Sequence, residues 1–554
     1  MADDRPWLAA YPEGVPADIA EPTRALTANL AQAVARFPER IALDFLGATT
    51  TYAELGDQVA RAAEALRRLG VRAGDRVALI LPNCPQHVVA FYAVLRLGAI
   101  VVEHNPLYTP AELAHQLADH GATVAICWDK VAGSANVPTI VGVDLTAALP
   151  LVKRLALKLP LPPARKMRAE MRGPLPDGAS SWEELVAEAT PIAGSVPGPG
   201  VDDTALLQYT GGTSGTPKGA VLTHRNLAAN AEQSRVWVPG LRAGGETFYA
   251  VLPLFHAYGL TLCLTTAVQI AATIVLLPRF DVGLVLDAVK RRPPTFFPGV
   301  PPMYDRLATA ARERGTDLST VRYSISGAMP LPPKTAETWE ALTGGLLIEG
   351  YGMTETSPIT IGNPMSAGRR TGSIGIPYPS THVRIADRAD VDRDMPRGEP
   401  GELLVRGPQV FSGYWNLPAE TDAVLLPGGW IRTGDVAVMS DDGFLSIVDR
   451  VKELIITGGF NVYPSEVEDV LREHPDVGDV AVVGLPSDRT GEEVVAVVVP
   501  AEGASVDRDA LLKWARERLS GYKAPRRVEI ADELPRSQIG KVLRRQVRDQ
   551  LTSN

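Results

Sequence analysis

From residue 51 the chain sets apolar side chains at helical spacing: Leu55, Val59, Ala62, Leu66 and Leu69 form one stripe that ends at Gly70. Thr51 and Glu54 precede the stripe as a capping box, so a helix is predicted to start there. The unbroken apolar run RVALILP at 76–82 then predicts a buried strand. The alternation returns further on. Thr109 and Glu112, with Pro110 at the first helical position, open another helix, and ATVAIC at 122–127 reads as a strand. Helices alternating with strands predict a layered α/β architecture.

In the last hundred residues the pattern describes a separate small α/β domain that begins near Asp449. Helices are expected at 464–473 and 507–519, and strands at 477–484 and 493–500. VGDVAVVG and EEVVAVVVP are β-branched runs, while LLKWARERL carries apolar residues at helical spacing before Gly521. No internal repeat is present.

One stretch breaks the polar rhythm. No charged side chain occurs between Glu246 and Arg279, a length that suits a membrane span. Pro253, His256, Gly259 and Gln269 interrupt it, so a buried strand, loop and helix are expected instead. Residues 150–200 differ again, shifting to proline, glycine and basic side chains. Within 151–172, Lys153, Arg154, Lys158, Arg165, Lys166, Arg168 and Arg172 face one acid, Glu170, beside Leu151, Val152, Leu155 and Leu159. A solvated charged arm is expected, with a weak membrane-surface or acidic-partner site as the alternative.

Composition narrows the class. A chain of 554 residues exceeds one hydrophobic core, and 45% hydrophobic and 21% charged residues with a net charge of -9 describe a mildly acidic globular protein. That charge offers no global basic field, so no nucleic-acid partner is expected. Cys84, Cys127 and Cys263 are widely spaced and odd in number, which argues against a disulfide framework or thiolate metal cluster and for a reducing, cytoplasmic setting. MADDRPW lacks the features of a signal peptide, so the mature chain is expected to start there.

The strongest chemical signal is YTGGTSGTPKG at 209–219. Gly211, Gly212 and Gly215 let backbone N–H groups approach phosphate oxygens, Thr210, Thr213, Ser214 and Thr216 add hydroxyls, and Lys218 adds a mobile positive charge. Apolar segments on both sides predict a strand–loop–strand hairpin. The Walker pattern requires Gly directly before Lys and Ser or Thr directly after it, whereas Thr216, Pro217 and Gly219 stand at the corresponding places here. A kinase or ATPase of that class is disfavoured.

EGYGMTE at 349–355 offers a second site: Tyr351 to cover a base, Gly352 for close approach, Thr354 for a phosphate and Glu355 for Mg²⁺. TGD at 433–435, DRVKELIITGGFNVYPSEVE at 449–468 and RSQIGKVLRR at 536–545 follow. In this order the motifs closely resemble those of the adenylate-forming superfamily of acyl-CoA synthetases, luciferases and carrier-loading adenylation domains. HNPLYTPAELAHQL at 104–117, GPQVFSGYWNLPAET at 407–421 and LSGYKAPRRVE at 519–529 extend the resemblance over nearly the whole chain, toward bacterial long-chain fatty-acid CoA ligases.

The resemblance implies a large multi-layered N-terminal domain of α/β subdomains over 1–448 for the acyl group and ATP, a hinge at 449–452, and a small mobile C-terminal α/β domain over 453–554. It implies a two-step reaction. A carboxylate attacks the α-phosphate of ATP to give an acyl-adenylate, and the thiol of coenzyme A then displaces AMP. Thr210 to Lys218 would hold phosphates, Glu355 the Mg²⁺, and Asp435 the ribose with Arg450 nearby. Ser326, Gly327 and Ala328, with Glu349, Gly350 and Tyr351, would line adenine and the acyl entrance. Lys541 would bridge the carboxylate and α-phosphate oxygens. Rotation about Lys452 would withdraw Lys541 and bring in Gly458, Gly459, Phe460 and Asn461 beside the pantetheine tunnel, with Lys523 toward a coenzyme A phosphate.

His256, in PLFHAYG, is given an orienting role next to the carboxylate and thiol. Some long-chain ligases carry a gating tryptophan shortly after this histidine, where this chain has Leu260. The acyl pocket is expected to include Phe255, Val300, Pro301, Gly327, Tyr351 and Met353, which offer no charged anchor and so favour an apolar tail. The expected activity is ligation of a medium- or long-chain fatty acid to coenzyme A. A short-chain or aryl acid, transfer of the adenylate to a carrier protein, and a non-catalytic acyl-nucleotide binding protein stand as alternatives. The implied partners are fatty acid, ATP and coenzyme A; a homodimer and a peripheral position at the inner face of a membrane are compatible with them.

Overall fold

Both capping boxes close as the sequence predicts. In the computed structural model Thr51 caps the helix Tyr52–Arg68 and Thr109 caps Pro110–His120, each with its glutamate returning to the capping residue's own N–H. Such a cap stabilises a helix by about 1 kcal/mol. The structure describes residues 5–210, 217–450, 453–457, 460–487, 491–519, 521–537 and 540–552.

The described chain divides into two compact units. The larger comprises Trp7–His382 and Arg406–Ile431, and the second comprises Val383–Val405 and Arg432–Asn554 with the first six residues.

Two sheets organise the larger unit. One has nine strands, with parallel pairing through Ile41–Phe45, Thr273–Leu276, Thr247–Ala250, Phe296–Gly299, Tyr323–Ser326 and Leu346–Gly352. Antiparallel strands, Ile359–Gly362 and Ile376–Pro377 on one side and Ala48–Thr51 on the other, complete it. The other sheet has eight strands and ends in the hairpin Thr204–Thr210/Lys218–Thr223, with the two-residue strand Gly413–Tyr414 at its edge. Parallel strands are covered on both faces, which explains why RVALILP and ATVAIC are apolar runs and not alternating ones. The corresponding strands are Arg76–Ile80 and Val124–Trp128.

The uncharged stretch resolves into the strand Thr247–Ala250, a short helical path from Ala257 to Gln269 with a wider π-type turn over Leu260–Thr265, and the strand Thr273–Leu276. No helix among the described residues is long and apolar enough to cross a membrane. Cys84, Cys127 and Cys263 are buried free thiols, each pushed up to about 12 by burial.

In the second unit the last hundred residues follow the predicted order: helix Pro464–Arg472, strands Val477–Ser487 and Gly491–Pro500, and helix Arg508–Arg518. Val480, Val482, Val494, Ala496 and Val498 pack with Leu471 and Leu511 into one apolar core. β-Branched side chains suit a strand with a half-buried pleat, so these runs form the centre of the domain.

Candidate active site

The hairpin expected to hold phosphate is closed by pairing of Thr210 with Lys218 and of Tyr209 with Gly219. Gly211, Gly212, Thr213, Ser214, Gly215 and Thr216 lie outside the described residues. Gly219 is closely packed: a Cβ there would stand 3.3 Å from the Tyr209 ring and 3.4 Å from Trp415 Cβ. The strand Gly413–Tyr414 adds to the hairpin, with Tyr414 opposite Ala220. This pairing carries the Tyr414 ring under Lys218, whose ammonium sits 5.1 Å from the ring centroid and forms an ion pair with Glu420.

Glu355 belongs to the same corner. It lies in the short 3-10 turn Thr354–Thr356 and is buried. Its carbonyl accepts from Phe411 N at 2.8 Å, and its Oε1 accepts from the Tyr414 hydroxyl at 2.7 Å. Burial and the neighbouring carboxylate hold the Tyr414 phenol well above its ordinary range, so it stays protonated and donates. Lys218, Tyr414 and Glu355 therefore present a cation, a phenol and a carboxylate within one contact chain. Tyr414 and Glu420 were not identified as site residues from sequence, because no local spacing joins position 414 to 355 or 420 to 218.

Magnesium fits this corner on chemical grounds. The ion is characteristically held by one or two carboxylates together with substrate phosphates, and a buried carboxylate with an orienting phenol beside a phosphate-loop lysine supplies the protein's share. Among the described residues no group of three or more His, Cys, Asp or Glu forms an all-protein metal cage.

Ser326 and Glu349 are register partners on adjacent parallel strands. Gly327 follows, buried so tightly against Tyr258 that a Cβ would lie 3.0 Å from its ring, and Ala328 takes a left-handed φ of 67°. Gly350 and Tyr351 pair with Gly362 and Ile361, and a Cβ on Gly352 would collide with the Pro358 carbonyl at 1.8 Å. The Ser326 hydroxyl is buried with no hydrogen-bond partner among the described residues. Glu349 accepts from Leu331 N at 3.2 Å, and burial pushes its carboxyl up to about 7.

His256 caps the helical turn Ala257–Gly259, its Nδ1 accepting from Tyr258 N at 3.3 Å. That bond places the ring proton on Nε2. Burial lowers the imidazole to about 4, so the ring is neutral and offers a donor. Two side chains brace this segment. Asn83 donates to the carbonyls of Ala250 and Leu252 at 2.9 and 2.8 Å and accepts from Leu254 N at 2.8 Å, while Gln208 donates to the Phe255 carbonyl at 2.7 Å. Gly259 allows the tight return, since a Cβ would stand 2.1 Å from the Pro253 carbonyl. Val300 and Pro301 are buried at the start of the helix Pro301–Arg314, and Phe255, Tyr351 and Met353 are half-buried.

The second unit holds the remaining residues. Asp435 is buried on the strand Trp430–Met439, opposite Arg450 in the antiparallel register. Lys541 is half-buried in a small turn in which Ser537 N donates to its carbonyl at 2.8 Å and Ser537 Oγ accepts from its N–H at 3.2 Å. Lys523 holds the Glu466 carboxylate at 2.6 and 2.9 Å, which raises its ammonium above the ordinary value. Phe460 and Asn461 lie on a short strand opposite Thr457 and Ile456, whereas Lys452, Gly458 and Gly459 lie outside the described residues.

Comparison with known proteins identifies the family. Residues 30–415 match the AMP-binding enzyme family and residues 466–541 match the AMP-binding enzyme C-terminal domain. The chain is 38% identical over 564 residues to the long-chain-fatty-acid–CoA ligase of Bacillus subtilis strain 168, covering 100% of this chain and 99% of that protein. It is 40% identical over 514 residues to a feruloyl-CoA synthase of an Amycolatopsis species, covering 92% and 96%. The crystal structure of ATP-bound MatB from Rhodopseudomonas palustris superposes with a TM-score of 0.81 at 31% identity, covering 96% of this chain and 99% of that one.

Proposed function

The chain belongs to the AMP-binding enzyme family, and on that premise we propose that it joins a medium- or long-chain fatty acid to coenzyme A through an acyl-adenylate. The carrying observation is end-to-end similarity to a fatty-acid ligase, together with a lysine, a phenol and a buried carboxylate gathered beside the phosphate-loop hairpin.

In the first step a carboxylate oxygen bonds to the α-phosphorus of ATP, the α–β phosphoanhydride bond breaks and pyrophosphate leaves. In the second, the thiol sulfur bonds to the acyl carbon, the acyl–oxygen bond breaks, AMP leaves and the thiol proton is released. Both steps are accelerated by holding reactants in line and by neutralising charge around phosphorus. Thr210 and Lys218 would hold phosphates of ATP, and Glu355, steadied by Tyr414, would hold magnesium. When bound, that ion neutralises phosphate charge. His256 orients the incoming carboxylate through Nε2–H, and a neutral ring serves this role better than an imidazolium that would trap the ionised acid. Asp435 accepts from the ribose hydroxyls with Arg450 across the strand pair. Lys541 supplies the charge for adenylation, and Lys452, Gly458, Gly459, Phe460, Asn461 and Lys523 serve the thiol step.

A second reading, an aromatic acid as substrate, has one observation in its favour: identity to a feruloyl-CoA synthase is 40% over 92% of the chain, beside 38% over the whole chain to the Bacillus subtilis fatty-acid ligase. The deciding assay follows AMP and acyl-CoA formation with ATP, Mg²⁺ and coenzyme A across acids from acetate to palmitate, benzoate and ferulate. A coenzyme A-dependent product peaking at medium or long chains is expected. Turnover confined to aromatic acids would keep the chemistry and replace the substrate, and absence of AMP with every acid would refute the ligase reading.

A further inference from the structure

We infer that the helical hairpin formed by Leu151–Leu157 and Pro162–Met171 is a docking surface for a membrane that carries anionic phospholipid. Eleven large hydrophobic side chains are exposed among the described residues, and six of them fall on this hairpin and its connecting turn, Leu151, Val152, Leu155, Leu159, Leu161 and Met167, with Leu175 just beyond it. Exposed apolar side chains are normally scattered singly, and a contiguous group marks an interaction surface. On the first helix Leu151, Val152 and Leu155 share one arc, with Leu157, its sole buried residue, on the opposite side. The second helix buries no residue at all.

The hairpin is fixed at both ends. Lys153 Nζ donates to the Leu46 carbonyl at 2.8 Å, Arg168 donates to the Leu157 carbonyl at 3.0 Å, and Trp128 Nε1 donates to the Met171 carbonyl at 2.8 Å. Arg172 lies 3.3 Å from Asp144 and 3.8 Å from Asp129, whose Oδ1 also accepts from Gly173 N at 3.0 Å. Gly173 passes so close to the main chain that a Cβ would stand 2.6 Å from Lys130 Cα. Three cations are thereby used as anchors. Arg154, Lys158, Arg165 and Lys166 stay exposed, and the sequence has no acid between Asp144 and Glu170.

Charge and apolarity together select the partner. Aliphatic side chains enter the acyl boundary of a bilayer while lysines and arginines meet lipid phosphates. A single nucleic-acid strand is held on stacking platforms, and residues 151–175 contain no aromatic side chain; a duplex would leave the exposed leucines unused. The net charge of -9 repels an anionic surface elsewhere on the molecule, so this basic face dictates the approach. The inference does not depend on which acid the enzyme activates.

The test is co-sedimentation of the full chain with vesicles of phosphatidylcholine alone and of phosphatidylcholine with one part in three phosphatidylglycerol. Binding to the anionic vesicles alone, released by high salt, is expected. Arg154→Glu, Lys158→Glu, Arg165→Glu and Lys166→Glu together should lower the partition coefficient roughly a hundredfold or more. Leu151→Ser, Val152→Ser and Leu155→Ser together should lower it about tenfold. Circular dichroism melting of each variant separates loss of binding from loss of fold. Failure of the wild-type protein to bind anionic vesicles, or full binding by either folded variant, would overturn the proposal. So would retention on duplex DNA without vesicle binding.

Discussion

The corner around Lys218 and the turn around Lys541 hold charge in opposite ways. Lys218 is held by Glu420, 202 positions away, and Glu355 by Tyr414, 59 positions away, so their geometry depends on the register of an entire sheet. Lys541 sits in a turn whose backbone hydrogen bonds run among Pro535, Ser537, Gly540, Lys541 and Leu543, all within a few residues, with Arg536 tying the turn to Asp479 of the same unit. A polyphosphate whose α–β bond breaks in place calls for a preorganised cradle, because reorganisation during that step would raise the barrier. A charge needed in one half-reaction is better placed on a local turn that keeps its shape wherever its domain moves.

The comparison breaks most directly at the lysine itself. Lys541→Ala is expected to slow adenylate formation about a thousandfold, the loss typical of a donor used in the transition state, and to spare thioester formation from supplied acyl-adenylate. Equal loss in both half-reactions, measured by single turnover, would remove the distinction between delivered and fixed charge. On the fixed side, Glu355→Gln is expected to reduce adenylate formation about a hundredfold and to raise the magnesium concentration for half-maximal rate. Unchanged magnesium dependence would place the ion elsewhere. Tyr414→Phe removes one hydrogen bond to that carboxylate and leaves the ring beneath Lys218, so about a tenfold loss is expected, mostly in kcat. A loss as large as that of Glu355→Gln would make Tyr414 a direct participant.

The smallest effect concerns acid stability. Burial lowers His104, His224 and His256 to about 4 and His120 to about 3, and all four lie in the larger unit. Below about 6.5 the unfolded chain takes up protons that the folded unit refuses, so stability is lost as pH falls from about 6.5 toward 4. Glu349, raised to about 7, has the opposite sign and loses stability as pH rises from about 4.5 to 7. Asp129, raised to about 6, and Glu183, also raised, share the sign of Glu349, so four imidazoles stand against three carboxyls and hydrogen exchange at pH 5 is expected to open the larger unit before the second. His256→Gln should weaken that dependence, and opening of the second unit first would refute the assignment.

Much of the fold was legible because its signals are local. The capping boxes at Thr51 and Thr109, the stripe from Leu55 to Leu69 and the valine runs at 477–484 and 493–500 act over a few residues, where chain connectivity alone brings groups together. In segment 151–172 charge dominates the composition, so the sequence suggests a solvated arm or a weak membrane-surface or acidic-partner site without showing its shape. Its two helices and their anchors at Leu46, Trp128 and Asp129 depend on backbone far along the chain.

By itself the sequence determined the α/β layering, the hairpin with its glycines and lysine, and the chemical types presented by Glu355, Asp435 and Lys541. Only the tertiary structure decided that Tyr414 donates to Glu355, that Glu420 holds Lys218, and that Asn83 and Gln208 brace the segment before His256. Helix caps and apolar periodicity are written in neighbouring residues, whereas these pairings arise from strand register and the meeting of distant loops, which no interval along the chain encodes.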